Sequence, residues 1–449
     1  MHINSARGSI AAVIFGLALF YLLSAPHWVN RLGQPTIFSY DVDQYYSYLP
    51  AFFLEGQPDF NYDHQYWTKS GRNGKQVPKV TMGMAYFYAP WFAAACWLQE
   101  ESNPDGYGYF FDRCIHYGSL IYSLVAALFV LLSLQMFLKP WLAAITYALV
   151  FFASNLFYYT LERGEMPHSY LFMLFAIFIY ASLRFHRGQQ KNGWLFLLAF
   201  LLGLITLIRP TALLCALFPL LYGVYDKTSL NQRLRLLKAK ALPILLAVVI
   251  LFIPILPQLF YWHWLTGHWL VFSYGSEEGF HFNDPHLLDV MLSWRKGWLI
   301  YTPLALFMLI GFVPLWRHYR PLALPLTLIF ICVWFLVSSW WDWWFGGSFG
   351  HRAFVHYYAF LAFPLGALLQ KALQARWSGL LAGGLGLLLI FLNLFQTRQY
   401  QYSIIHYDGM TREAYWYVFG KKHLEPAEYA RRDELIDRPD YQAALEGNR

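Results

Sequence analysis

Charge is what this sequence has least of. Only 13% of its 449 residues are Asp, Glu, Lys or Arg, against about 25% in a soluble globular domain, which excludes a surface that faces water on all sides. Cysteine is scarce too: Cys96, Cys114, Cys215 and Cys332 are all there are. They form no CxxC and no metal-ligand spacing, and the histidines form no HExxH, so no metal site is expected. Cys96 and Cys114 either meet outside a membrane or are isolated buried thiols. The first apolar run is long and lacks an Ala-x-Ala cleavage site, so it reads as an uncleaved span. No glycine-rich phosphate loop, low-complexity tract or internal repeat is present, and the missing repeat weighs against a transporter. The formal charge of +7 comes from residues spread between apolar runs. It therefore marks membrane orientation and no nucleic-acid surface.

What is there is apolar: 58% hydrophobic and 20% aromatic. A helix needs about 20 apolar residues to cross the hydrocarbon core. Runs without Asp, Glu, Lys or Arg cover 8–30, 114–138, 140–161, 166–183, 192–208, 210–225, 241–276, 297–316, 321–341, 353–370 and 377–397. They predict an all-α polytopic membrane protein of about eleven transmembrane helices. The segment 80–99 is a twelfth candidate, and charge decides against it. If it does not span and the amino terminus is inside, then Lys139, Arg184, Arg187, Lys191, Lys227 to Lys240, Arg317, Arg320, Lys371 and Arg376 all face the cytoplasm. Counting it as a span reverses every one of them and brings Glu100, Glu101, Asp105 and Asp112 inside, against the positive-inside rule. So 80–99 is expected to lie along the outer interface or to re-enter. The amino terminus is then in and the carboxyl terminus out, with outer loops over 30–113 and 263–296. Residues 1–397 form the membrane module and 398–449 a short outer tail.

The ionisable residues that could do chemistry fall on the outer side of this map. In FSYDVDQYYSYLPAFF, Asp41 suits a general base at an apolar interface, or equally a helix N-cap; Asp43 is a possible second carboxylate. Lys75 and Lys79 either reach a lipid phosphate or anchor the next helix. The turn LERGEMPHSYLF packs Glu162, Arg163, Glu165 and His168 at the interface, where ionisable residues point to function. Arg209, before Pro210, suits a phosphate, whose oxygens match its fork, or snorkels to headgroups. Two later segments carry Glu277, Glu278, His281, His286, Arg295 and Lys296, and then Asp342, His351 and Arg352. The tryptophans around Trp344 form an aromatic belt or a surface on which sugars stack. The run Gly346-Gly347-Ser348-Phe349-Gly350 lets backbone approach a ligand closely.

Taken in order, these segments resemble the membrane glycosyltransferases of the C-type fold, in their protein-mannosyltransferase-like branch. The resemblance runs through Asp41 with Tyr45, Tyr46 and Tyr48; Lys79-Val-Thr-Met-Gly83 with Ala89-Pro-Trp-Phe92; and Met166-Pro-His-Ser-Tyr170. It continues through Arg209-Pro-Thr211, Trp294-Arg-Lys-Gly297, Tyr301-Thr-Pro303 and Gly346-Gly-Ser-Phe-Gly-His-Arg352. It implies an inverting transfer from a polyprenyl-phosphate sugar in a bacterial inner membrane, with Asp41 as the base. Val42 stands where the family often has a second acidic residue. Asp43 or Glu165 is then the second carboxylate, and Lys79, Arg209, Arg352 and His168 bind the donor phosphate. Tyr45, Tyr46, Trp344 and Glu278 are the expected sugar or acceptor contacts. No cofactor is required, with a divalent metal left open. The expected partners are membrane lipid, the lipid-linked donor and an acceptor that is protein, lipid A or polysaccharide. A flippase of lipid-linked sugars and a glycan polymerase or ligase are the rival functions.

Overall fold

In the computed structural model the described residues are 2–24, 36–56, 58–59, 68–70, 72–99, 105–188, 190–274 and 278–447. The expectations that fall on 25–35, Glu100, Glu101 and Glu277 lie outside them. The chain is mostly helical, with one short antiparallel ribbon, Thr68–Ser70 against Gln76–Pro78. Five helices are long and apolar enough to cross a membrane: Tyr109–Leu134, Pro167–Arg187, Arg320–Ser338, Arg352–Ala372 and Arg376–Gln401. Ala241–Phe252 and Leu256–Thr266 make a sixth if counted together, bent by 50°. Pro254 lies at the bend, where a proline cannot continue the helical bonding, and the Tyr86 hydroxyl donates to its carbonyl at 3.1 Å. The four cysteines are free.

Three of the apolar runs are not single rods. The run 140–161 breaks into Pro140–Phe152 and Leu156–Leu161. Ser154 Oγ turns back to the Val150 carbonyl at 2.5 Å, and Asn393 Nδ2 covers the freed carbonyls of Phe152 and Ser154 at 3.0 and 2.8 Å. Freed backbone groups at membrane depth need such partners. The run 241–276 is the bent pair, and 297–316 is three pieces, Trp298–Tyr301, Leu304–Ile310 and Phe312–His318. The segment 80–99 forms Ala85–Leu98, a helix of 14 residues, short of the roughly 20 that a crossing needs.

The two ends of the bundle differ in charge. Helix Pro167–Arg187 carries His168 in its first turn and ends on Arg184 and Arg187, a length of roughly 31 Å at about 1.5 Å per residue. At the basic end Arg187 Nη1 donates to the Met136 carbonyl at 2.9 Å, the Tyr319 hydroxyl to Phe137 at 3.3 Å, and Gly223 N to Pro321 at 2.8 Å. The segments read as cytoplasmic therefore gather there, and the candidate site lies at the other end. The last long helix, Arg376–Gln401, is only 11% buried over its most apolar window. Its first half is exposed, and its buried polar residues, Asn393, Gln396, Thr397 and Gln399, all sit in the second half. From there the tail folds back as Arg412–Val418, Pro426–Leu435 and Tyr441–Leu445. It builds a small second core in which Ile404, Ile405, Met410 and Tyr415 pack with Tyr301 and Phe349.

Candidate active site at the mixed-charge end of the bundle

Asp41 is the first residue of the short helix Asp41–Tyr46, which has no side-chain cap; the N-cap role is thus not the one it plays. Its carboxylate turns to Arg352, whose Nη1 donates to Oδ2 at 3.3 Å. Oδ1 has no partner among the described residues. Tyr40, just before it, is held at φ 52° and ψ −125°, a region that suits glycine and costs other residues about 1–3 kcal/mol.

Arg209 arrives from another direction. Proline disfavours helical geometry in the residue before it, so the helix Asn192–Ile208 stops and Arg209 is extended at φ −148°, ψ 105°. Its guanidinium lies over the Phe345 ring at 5.8 Å from the centroid. No carboxylate pairs with it among the described residues. Gly83 makes this turn possible: a Cβ there would lie 3.0 Å from the Ile208 amide nitrogen, so only glycine lets the 79–83 segment run against the backbone that presents Arg209. Phe345 is itself strained, at φ 59°. Tyr45 and Tyr274 share the space, each within electrostatic range of Asp41, Arg209 and Arg352.

Lys79 is beside them but engaged, its Nζ 2.6 Å from Glu278 Oε1 and over the Tyr274 ring. His168 is buried, edge-on to Tyr159 at 5.0 Å and parallel to His356 at 6.0 Å; its Nδ1 has no hydrogen-bond partner among the described residues. Glu165 is 1% exposed beneath the site, 3.1 Å from Arg163 Nε and 3.8 Å from His116. Asp43 faces away and accepts from the Tyr107 hydroxyl at 3.2 Å. Two expected sugar contacts do not reach the site. Tyr46 is fully buried and stacked on Phe38 at 3.9 Å. Trp344 is 3% exposed and turned toward Tyr441 and Arg295. Both were expected because aromatic residues cluster there; burial took them for the core instead.

The glycine-rich loop 342–351 aims Arg352. Asn155 Nδ2 donates to the Phe349 carbonyl at 3.1 Å, the Phe349 amide donates to the Tyr159 hydroxyl at 3.2 Å, and Tyr358 fixes Asn155 at 2.7 Å. His351 Nε2 bonds the Trp343 carbonyl at 3.0 Å; burial pushes this ring down to about 3, so it is neutral. Burial pushes the Asp342 carboxyl the other way, up to about 7, with the Gly346 amide opposing it. Sequence reasoning passed over Tyr274, Phe345 and Asn155. A lone arginine at the interface calls for a π face as much as for an anion, and that need was the available signal for Phe345.

Next to this cluster opens an apolar groove of about 460 Å³. Tyr48, Leu49 and Phe52 line one side, Met82, Ala85 and Ala89 another, and Pro257, Tyr261 and Trp264 a third. Tyr48 lies three residues beyond Tyr45 and Met82 three beyond Lys79, so groove and charged cluster share two segments. Among the described residues, the arrangement offers a carboxylate with an unpartnered oxygen, a cation with no carboxylate partner, and an oily slot. No protein-family model matches the chain, and no curated protein matches it.

Proposed function

We propose that this chain is an inverting glycosyltransferase of the C-type fold, which moves a sugar from a polyprenyl-phosphate donor to an acceptor hydroxyl at the periplasmic face of a bacterial inner membrane. The observation that carries the reading is a carboxylate with one oxygen unpartnered among the described residues, Asp41, and a cation with no carboxylate partner among them, Arg209, both within electrostatic range of Tyr45 and Tyr274 beside an apolar groove. The five long helices, the bent pair and five shorter apolar helices support eleven spans, with the site at the outer end. The polyprenyl tail occupies the groove, and its phosphate reaches Arg209 at headgroup level.

The acceptor hydroxyl gives its proton to Asp41 Oδ1 as its oxygen attacks the anomeric carbon. The bond from that carbon to the phosphate oxygen breaks on the opposite face, and the electron pair leaves with the phosphate. Arg352 orients the base through Oδ2. Fixed cations stabilise growing phosphate charge without the reorganisation that water would need. Arg209, with no carboxylate partner among the described residues, can do so; Lys79 contributes once the donor draws it from Glu278, which then faces the sugar. His168 offers its Nδ1 to the same phosphate.

Asp41→Asn keeps shape but cannot take a proton, and a general base is worth about 10²–10⁴ in rate. Transfer from a radiolabelled polyprenyl-phosphate sugar is expected to fall by that much, with donor binding retained. Near-normal turnover would remove Asp41 from the mechanism.

A further inference from the structure

Lys296 is 2% exposed, and nothing in the chemistry above uses it. Its ammonium is already spent: Nζ donates to the carbonyls of Ser348 and Tyr407. The first belongs to the glycine-rich loop four residues before Arg352, the second to the tail. Asp408 and Asp342 face it with opposite charge and Arg352 and Arg295 with like charge, while His351 and His406 flank it.

The loop it holds is braced within itself by His351 on the Trp343 carbonyl and by the Gly346 amide on Asp342, and its apex depends on neighbours. Gly346 and Gly350 take φ 57° and 59°, and Asn155 and Tyr159 grip only its inner side, at Phe349. On the outer side its partners are Lys296 and the tail: the Ser348 amide donates to the Tyr407 carbonyl at 3.2 Å, and the Tyr407 ring closes on Gly347. Within the tail the Tyr441 hydroxyl holds Asp408, next to Tyr407, at 2.6 Å, while Arg295 on Asp437 at 3.0 Å and the Tyr441 ring on Trp344 tie the tail down.

We propose that Lys296 is a positioning residue: it rivets the tail to the glycine-rich loop and thereby fixes the direction in which Arg352 meets Asp41. The tail is then a working part of the site. The consequence for turnover rests on the glycosyltransferase reading; the rivet itself does not. A charged hydrogen bond lost from a closed segment changes its opening by on the order of tenfold.

The test compares the full chain with Lys296→Met and Tyr441→Phe in lipid nanodiscs, by amide hydrogen exchange and by transfer kinetics. In Lys296→Met, exchange at 346–352 and at 404–408 is expected to rise together by about tenfold, with 167–187 unchanged. Since Arg352 orients the base, kcat falls while the donor KM stays within about twofold. Tyr441→Phe, which releases Asp408 beside Tyr407 within the tail, covers the case in which Lys296→Met does not fold; it is expected to raise exchange in both segments to a smaller degree. Exchange that rises in one segment alone, or in neither, overturns the rivet, and a loss carried by KM alone overturns the aiming role. If the wild-type chain transfers no sugar, the exchange arm still decides the rivet and the failure belongs to the proposed function.

Discussion

At the scale of single residues, an arginine with no counter-ion is the feature that most needs a ligand. Arg209 stacks on Phe345 and leaves its fork open. Lysine would keep the charge and lose the paired, planar donors. Charge-assisted bonds of this kind contribute about 1.5–3 kcal/mol, so Arg209→Lys should lower transfer by about tenfold or more. Full activity in Arg209→Ala would sink the phosphate role. A second residue answers to pH. Burial lifts the Asp342 carboxyl to about 7, so the fold keeps a proton that the unfolded chain releases at the ordinary carboxylate pKa. The folded state therefore binds more protons between that value and about 7, and the stabilisation, full below the window, falls as pH rises through it. Asp342→Asn retains an acceptor for the Gly346 amide but cannot ionise. The drop in melting temperature between pH 5 and pH 7.5 should shrink in that variant; an unaltered drop argues that Asp342 does not titrate there.

Among the elements, the groove is the most open to test. Ala89 lines it, and Ala89→Trp fills space that two or more methylene groups of a lipid tail would take. Each buried methylene is worth about 0.8 kcal/mol, so KM for a long-tailed donor should rise by about tenfold with kcat near wild type. A short-tailed donor should be indifferent. Equal loss with both would mean that the tail lies elsewhere. Helix ends marked by proline or glycine could be read from the sequence, and Arg209 before Pro210 and Gly83 against Ile208 are examples. The break at Ser154 and Asn155 could not. Both residues are uncharged and sit inside an apolar run, and the partner that makes the break tolerable, Asn393, is 239 residues away from Ser154. The same distance problem hid the pairing of Lys79 with Glu278 and the burial of Trp344 under the tail: composition gives a residue's character, and only packing decides whether a neighbour has already claimed it.

For the whole molecule, the charge pattern predicts an orientation that a reporter can read. At one end the charged segments are basic; at the other Asp41, Glu165, Glu278 and Asp342 are mixed with Lys79, Arg163, Arg209 and Arg352. With the positive end inside, a fusion at the carboxyl terminus should report the outer compartment and one within 226–240 the cytoplasm. A cytoplasmic carboxyl terminus would defeat the one-sided site together with the parity argument. The final helix adds something of another kind. At one end Asn393 anchors it to the bundle and Gln396 and Gln399 to the tail, and along the rest it is mostly exposed. A rod fixed at one end and bathed in lipid is free to tilt, and tilting is how helices absorb a change in bilayer thickness. Its exposed first half would tilt, as far as the short turn 373–375 from the preceding helix allows, in a thicker or thinner membrane, while its fixed end, and the tail hung from it, stay in register with the charged cluster. That compliance would shield the outer end of the protein from the mechanics of the surrounding lipid.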